Sequence, residues 1–162
     1  MMIKQIIFSL LFVTFLTNSY SQEKSTKEKI TNTAIVNLNS DKLWGNLIEF
    51  GNLETYVPTV IDTTIVKGKG IGAIRTIKLK DGGIIKEQLS YLSSKKMKFK
   101  YKMIETPMPI SNYKSEIIVE QIDENTSLVI FISTYQVAKL TRVKMYKTIN
   151  GFQRTLLSNL AK

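Results

Sequence analysis

"GAIRTIKLKDGGIIKEQL" (residues 72–89) contains two segments in which apolar and polar residues alternate, joined by a glycine-bearing turn. Successive side chains of a strand point to opposite faces, so this pattern predicts two antiparallel strands that form a hairpin. Arg75 is in the same phase as Ile77, and Glu87 is in the same phase as Leu89. The stretch therefore places two opposite charges on the face of the sheet that should be buried.

Alternation of the same kind runs through most of the chain after residue 60. The predicted strands are 33–39, 60–67, 71–80, 83–92, 97–104, 112–121 and 128–137. The links between the last six strands are short, which favours antiparallel neighbours in a meander. Lys98, Lys100 and Lys102 alternate with Phe99 and Tyr101, so we expect one face of the sheet to be in water.

Three segments have helical rather than alternating periodicity. Ser40 can cap a short helix that ends near Gly51, and a second short helix at 53–56 ends before Pro58. From residue 139 onward, apolar residues recur at spacings of three and four: Val143, Tyr146, Ile149, Phe152, Leu156 and Leu160. One antiparallel sheet with this long helix on its concave face buries every apolar stripe, so the predicted class is α+β with a single domain.

The first thirty residues differ from the rest in composition. Residues 1–21 combine Lys4, an apolar run and the small-x-small sequence Ser19-Tyr20-Ser21, which predicts a signal peptide cleaved before Gln22. The alternative is a membrane anchor, but the apolar run is shorter than the roughly 20 residues that a spanning helix needs. We expect an exported protein, periplasmic or secreted, with a flexible leader at 22–30 and one folded domain at 31–162.

Composition excludes several kinds of site. The chain contains no cysteine and no histidine, which rules out Cys-His and Ser-His nucleophiles and histidine-ligated zinc. We expect no metal and no cofactor. The formal net charge is +10, but the lysines are scattered, and no nucleic-acid-binding motif accompanies them. A solvated outer face explains these charges better than nucleic-acid binding, and a weak contact with an anionic membrane surface is the remaining alternative.

The glycines at positions 68, 70 and 72 superficially resemble a phosphate-binding loop. They lie between two predicted strands rather than before a helix, which favours a hairpin or a β-bulge. Trp44 and Phe50 lie in the first predicted helix, and we expect both rings in the core because helix-borne aromatic residues usually pack there.

Several stretches occur in an order typical of one superfamily: "EFGNLETYVPTV" after Trp44, "GKGIGAIRTIKL", "DGGIIKEQLSYL", "YKMIETPMPISNYKSEIIV" and the long terminal helix. From Leu38 to Leu160 the chain resembles the SRPBCC superfamily of START-like, polyketide cyclase/dehydrase and lipid-transport proteins, and within it the branch of the plant abscisic-acid receptors. The resemblance implies a helix-grip fold. A seven-stranded antiparallel sheet would curl around the C-terminal helix, with two short helices after strand 1 and a large cavity inside.

The resemblance also implies which residues meet the polar part of a ligand. At the matching positions this chain has Arg75, Glu87, Tyr113 and Ser115, and Tyr101 is a further candidate. The loops at the cavity mouth would contain Lys80, Asp81, Gly82, Gly83, Pro107, Met108, Pro109, Ile110 and Ser111.

Two departures from the family pattern limit what is carried over. Gln88 stands where similar proteins have an arginine, and no equivalent of the hormone receptors' carboxylate-binding lysine can be placed among residues 60–67. Hormone recognition is therefore not implied. Arg75 and Glu87 could also form a closed pair that only specifies strand register, since many semi-buried ion pairs are structural.

Three functions remain open from the sequence. The favoured one is an exported protein that holds a hydrophobic or amphipathic small molecule, with a lipid as one candidate. The second is a polyketide cyclase or dehydratase that uses Glu87, Tyr113 and Arg75, although an adjacent arginine is expected to lower the pKa of a carboxyl that acts as general base. The third is a basic surface protein that binds an anionic membrane or a protein partner. The oligomeric state is open.

Overall fold

The computed structural model describes residues 25–162, so the predicted signal peptide and residues 22–24 lie outside the described part of the chain. The elements follow one another as β1 (Ser25–Val36), α1 (Ser40–Ile48), α2 (Leu53–Tyr56), β2 (Ile61–Lys67), β3 (Ile74–Leu79), β4 (Ile84–Ser93), β5 (Lys98–Glu105), β6 (Ile110–Gln121), β7 (Ser127–Ala138) and α3 (Arg142–Leu160).

All seven strands form one antiparallel sheet in the order β1-β7-β6-β5-β4-β3-β2. From β2 to β7 every strand pairs with its neighbour in sequence, which confirms the predicted meander. The glycine-rich segment at 68–72 connects β2 to β3, so the predicted hairpin is confirmed there as well. The sheet is not closed, and β1 and β2 are its two edges among the residues described.

The predicted flexible leader at 22–30 is wrong from Ser25 onward. β1 begins at Ser25, six residues before the predicted domain start at Thr31, and it pairs with β7 from Ser25↔Ala138 to Val36↔Ser127. Ile30 is the only fully buried side chain in the first half of this strand. Because an edge strand with one wet face needs few apolar residues, its polar composition resembled that of a disordered segment.

Helix α1 begins at Ser40, but the capping group belongs to the residue before it. Asn39 Oδ1 accepts a hydrogen bond from the backbone N–H of Asp41 at 2.9 Å, so the predicted role of Ser40 as cap is wrong by one residue. Trp44 and Phe50 are both buried, as predicted.

Helix α3 packs mainly against β1 and β7, through a face that differs in part from the predicted stripe. Its buried residues are Met145, Ile149, Gln153, Leu156 and Leu157, whereas Val143 is 65% exposed and Tyr146 is 43% exposed. Two residues along a helix are turned by about 200°, so Val143 lies opposite Met145 and cannot share its buried face. The predicted stripe is therefore wrong in its first turn and correct in its middle.

The interior between the sheet and α3 has two ends. At the closed end, the rings of Trp44, Phe50, Phe99 and Tyr101 contact one another, with ring centroids 5.8 to 6.3 Å apart. At the open end, side chains of β2 to β5 and of α3 line a common gap. Aromatic side chains fill the interior at the closed end. The candidate site lies at the open end.

Among residues 25–162, no helix is both long enough and apolar enough to cross a membrane.

Candidate functional site

A pocket of about 320 Å³ lies at the open end, between the sheet, the α2–β2 link and α3. Most of the side chains that line it are apolar: Val57, Val60, Ile61, Ile77, Leu79, Ile85, Met103, Met108, Ile149 and Phe152. Thr148 and Thr155 of α3 add two hydroxyls at the helix side, and Glu87 and Tyr113 add a carboxyl and a phenol on the sheet side. The volume is within the usual range for small-molecule sites, which are also lined mainly by apolar side chains with a few polar groups.

Arg75 and Glu87 form an ion pair at the boundary between the two ends. They are direct partners in the β3–β4 register, and Arg75 Nε donates to Glu87 Oε2 at 2.5 Å. Each side chain is only 5% exposed. The two charges that the sequence places on the buried face are therefore counterions of each other.

The two members of this pair face different surroundings. The guanidinium carbon of Arg75 lies 4.2 Å from the ring centroid of Phe50 and 4.6 Å from that of Tyr101, within the aromatic end. Both distances are in the range of cation–π contacts. Glu87 lines the pocket, whereas Arg75 does not. The arginine is therefore held by packing, and the carboxylate is the member presented to the pocket.

Burial raises the pKa of Glu87, and the charge and hydrogen bond of Arg75 oppose this without cancelling it. Arg75 lowers this pKa, as expected from the sequence, but the desolvation of a fully buried carboxylate outweighs the effect of one cation. Burial lowers the pKa of Arg75, but the Glu87 carboxylate together with Tyr101 and Tyr113 more than offsets this effect. The 2.5 Å contact between two side chains that are each 5% exposed is that of an ion pair, in which Arg75 is the counterion of the Glu87 carboxylate.

Three hydroxyl groups beside the pocket form a closed set of contacts, here called the hydroxyl ring: Tyr113 and Ser115 of β6 and Ser133 of β7. Ser115 Oγ donates to Tyr113 Oη at 2.9 Å, Tyr113 Oη lies 2.9 Å from Ser133 Oγ, and the two serine oxygens are 2.6 Å apart. All three residues are buried. Only Tyr113 reaches the pocket wall, so it is the group through which the ring meets a ligand.

The hydroxyl ring is supported from α3 and β1. Gln153 Nε2 donates to Ser133 Oγ at 2.7 Å, and Asn32 Nδ2 donates to Gln153 Oε1 at 2.7 Å. Asn32 Nδ2 also donates to Asn150 Oδ1 at 2.9 Å, close to the surface. Gln153 is completely buried, and these bonds fix which end of its amide faces the ring.

Burial raises the pKa values of Tyr101 and Tyr113. The neighbouring Glu87 charge raises both further, while hydrogen bonds to Ser115 oppose the rise in each case. The phenols therefore stay protonated at neutral pH, where they act as neutral hydrogen-bonding groups.

The structure divides the five predicted ligand-binding residues into two groups. Glu87 and Tyr113 line the pocket. Arg75, Tyr101 and Ser115 are buried behind them and contact them or each other. Their direct contact with a ligand stays a prediction, and their positions suit the orientation of Glu87 and Tyr113.

Of the nine predicted mouth residues, Met108 lines the pocket. The two predicted loops meet, since a Cβ added to Gly83 would lie 3.3 Å from Pro107 Cγ. The assignment of Ile110 and Ser111 to a loop is wrong, because both belong to β6 and pair with Val137 and Gln136 of β7. A register shift between Ser111 and Lys114 interrupts the alternation, which made the strand look shorter than it is.

Sequence reasoning missed Ser133, Gln153, Thr148 and Thr155. Ser133 alternates in phase with the buried residues Phe131 and Tyr135, and Gln153 follows Ile149 by four positions on the buried face of α3. A polar residue in a buried phase was the signal for both. The described residues contain no group of three or more acidic side chains that could hold a metal ion.

Residues 27–162 match the sequence profile of the family described as "Polyketide cyclase / dehydrase and lipid transport". No curated protein matches the sequence at a significant level.

Solved structures show that the same fold occurs in proteins of low sequence identity. An uncharacterized protein from Bacillus thuringiensis is 24% identical, with a TM-score of 0.73 over 83% of this chain and 96% of that one. The Zhui aromatase/cyclase from Streptomyces is 10% identical, with a TM-score of 0.74 over 84% and 92%. Norcoclaurine synthase from Thalictrum flavum is 18% identical, with a TM-score of 0.68 over 87% and 95%. The shared fold is the helix-grip arrangement of a seven-stranded antiparallel sheet with a C-terminal helix.

Proposed function

The chain belongs to the polyketide cyclase / dehydrase and lipid transport family, and from this premise we propose that it is an exported protein that holds a hydrophobic or amphipathic small molecule, such as a lipid, in the pocket at its open end. The observation that carries the proposal is the pocket itself, about 320 Å³ with a mainly apolar wall and two polar groups on the sheet side. Burial of ligand surface against this wall would contribute about 25 cal/mol per Å².

In this proposal the polar groups orient the ligand. Glu87 and Tyr113 contact its polar end. Arg75, which packs against the Tyr101 ring, holds Glu87 from the aromatic side, and Ser115 holds the Tyr113 hydroxyl. Both contact groups are fixed by partners on neighbouring strands, so a ligand would meet a site that is already ordered.

A tryptophan placed in the pocket tests the proposal. Thr155 lines the pocket from α3, whereas Ser158 is exposed one turn further on and is absent from the pocket wall. We expect the wild type and Ser158→Trp to bind a neutral, environment-sensitive apolar dye, and Thr155→Trp to lose most of this binding. Native mass spectrometry of the protein from its own host should show a bound apolar molecule. A wild type that arrives empty and also takes up no dye would contradict the proposal.

Export has a separate test. Protein recovered outside the cytoplasm of its host should begin at Gln22 when its N-terminal sequence is determined, since cleavage after Ser21 is proposed. A full-length chain that remains in the cytoplasm would remove export and leave the binding proposal intact.

A second candidate function is a cyclase or dehydratase reaction in the same pocket. The observation that favours it is the raised pKa of the Glu87 carboxyl, because a general base works best with a pKa near the working pH. Tyr113 would accept a hydrogen bond from a substrate hydroxyl, and Arg75 would stabilise the ionised base. Turnover of a polyketide-like substrate should then fall by at least about 100-fold in Glu87→Gln, whereas affinity for a ligand that is only bound should change far less.

Contact with an anionic membrane surface would suit a lipid ligand. Helix α3 carries Arg142, Lys144, Lys147 and Arg154 and no acidic residue. Because attraction between exposed charges is screened, binding to vesicles that contain anionic lipid should fall steeply as salt is added. Binding that does not depend on anionic lipid or salt would contradict this contact.

A further inference from the structure

The number of protons in the hydroxyl ring limits what the pocket can offer a ligand. Tyr113, Ser115 and Ser133 make three mutual hydrogen bonds, and each hydroxyl has one proton to donate. Three bonds therefore use all three protons. None is left for an acceptor in the pocket while the ring is intact.

The direction of the ring follows from its one assigned bond. Ser115 donates to Tyr113, so its proton is used and the short bond between the serines must come from Ser133. The proton of Ser133 is then also used, so Tyr113 must donate to Ser133. Ser133 accepts from Tyr113 and from Gln153, which fills both of its lone pairs.

Tyr101 does not change this result. Tyr101 is the register partner of Ser115, and a hydrogen bond from its hydroxyl to Ser115 would use its own proton and leave the three bonds of the ring unchanged. Toward the pocket, Tyr113 accordingly presents only an acceptor lone pair. Glu87, ionised beside Arg75, also accepts without donating.

We propose that the pocket selects a ligand whose polar end is a hydroxyl group, because the sheet side of the pocket offers only acceptors. This inference deepens the proposed function and rests on it. On the helix side Thr148 already donates to Lys144 O, so a ketone or ether could accept only from Thr155 and would leave both sheet-side acceptors without a donor. A carboxylate would in addition place a second negative charge beside Glu87. A neutral alcohol or phenol can donate to one acceptor and disturb neither the ring nor the ion pair.

A matched set of ligands tests the proposal directly. Octanol, octanoate and hexyl methyl ketone have the same number of carbons and differ at the polar end. By calorimetric titration of the wild type near neutral pH, octanol should bind about tenfold more tightly than the ketone, the effect of one hydrogen bond. Octanoate should bind at least as weakly as the ketone.

Two serine variants then locate the cause. In Ser115→Ala, one hydrogen bond of the ring remains, between Tyr113 and Ser133, and the two hydroxyls have two protons. Ser133 can then donate to Tyr113, and the Tyr113 proton is free to donate to a ligand. Affinity for the ketone should rise until it is within about threefold of octanol, less than one full hydrogen bond. Ser127→Ala is the matched control, because Ser127 is also buried but donates to Leu38 O away from the pocket. It should keep the wild-type preference.

Each outcome has a defined meaning. If the ketone or octanoate binds the wild type as tightly as octanol, the selection by acceptors is wrong, and the proposed function stands. If none of the three ligands binds while the apolar dye does, this inference is overturned and the proposed function stands; if the dye also fails to bind, both fall together. If the preference is present in the wild type and narrows equally in both variants, the ring is not its cause and the inference is overturned. The wild-type comparison decides even where Ser115→Ala does not fold.

Discussion

The closed and open ends of the interior are built from the same sheet and yet differ in what fills them. Aromatic rings of α1, β5 and the segment after α1 fill the closed end, while aliphatic side chains of β2, β3 and β4 surround an unfilled pocket at the open end. The ion pair of Arg75 and Glu87 spans the boundary, with the cation among the rings and the carboxylate on the pocket. One ion pair can therefore stabilise the fold through Arg75, which is packed among the rings, and remain available to a ligand through Glu87.

Removal of the arginine should have the largest effect on this arrangement. Arg75→Met leaves the Glu87 carboxylate buried without its counterion, and we expect the free energy of unfolding to fall by about 3–5 kcal/mol. The double variant Arg75→Met/Glu87→Leu removes both charges and should lose much less. Urea unfolding of the two variants measures the difference. If Arg75→Met were as stable as the wild type, the ion pair of Arg75 and Glu87 would not contribute to the stability of the fold.

Two isoleucines of equal burial compare the two ends directly. Ile117 packs beside Phe99 and Tyr101 at the closed end, Ile77 lines the pocket, and each is 4% exposed. Ile117→Ala opens a new cavity and should cost about 4 kcal/mol, whereas Ile77→Ala enlarges an existing one and should cost about 2 kcal/mol. Equal losses in urea unfolding would show that the open end is as tightly packed as the closed end.

Alkaline pH should destabilise the fold through the buried phenols. Burial raises the pKa of Tyr135 to about 12, and it also raises the pKa values of Tyr101 and Tyr113, most strongly for Tyr101 at the closed end. Because these values are higher in the fold than in the unfolded chain, their contribution is complete below a pH of about 10 and is lost as pH rises above it.

The free energy of unfolding, measured in urea across this pH range, should therefore decline from about pH 10. Tyr101→Phe should lessen the decline more than Tyr113→Phe does. The opposite order would place the stronger desolvation at the pocket rather than among the rings.

The smallest effect concerns two helical glycines. Gly151 of α3 lines the pocket and Gly45 of α1 does not, and a Cβ added to either meets no atom within 4 Å. Both Gly→Ala variants should stabilise the protein by up to about 1 kcal/mol, since alanine favours the helix. Only Gly151→Ala should also alter octanol affinity. A change in affinity with Gly45→Ala would show that the two ends are coupled.

Much of the fold could be predicted because each strand from β2 to β7 has one wet and one buried face. That alternation placed Arg75 and Glu87 on the inner face, where they lie. β1 was recognised only in its last four residues, 33–36, since pairing with β7 depends on backbone groups that leave no mark in the side-chain pattern. The resemblance to the SRPBCC superfamily added the helix-grip arrangement as a whole.

The candidate site could be predicted only in part. Glu87 and Tyr113 were named, but the separation of Arg75 from the pocket depends on the positions of Phe50 and Tyr101, which alternation does not give. The hydroxyl ring needs distances between β6, β7 and α3, and its contact partners are far apart in sequence. The pocket volume is the space that the curved sheet encloses and that the side chains leave unfilled. It depends on many side chains at once, and no local sequence pattern encodes it.

The pairing of the first strand with the last has a consequence for how the chain reaches this shape. Thr26 Oγ1 donates to Val137 O across 111 residues, and Arg142 bonds Glu28 across 114 residues. A chain synthesised from its N-terminus must leave β1 without a partner until β7 exists, so β1 should join the sheet late, after a costly loop closure. In that interval its backbone is free to pair with another copy of the same strand, and slow synthesis or slow folding would lengthen the exposure.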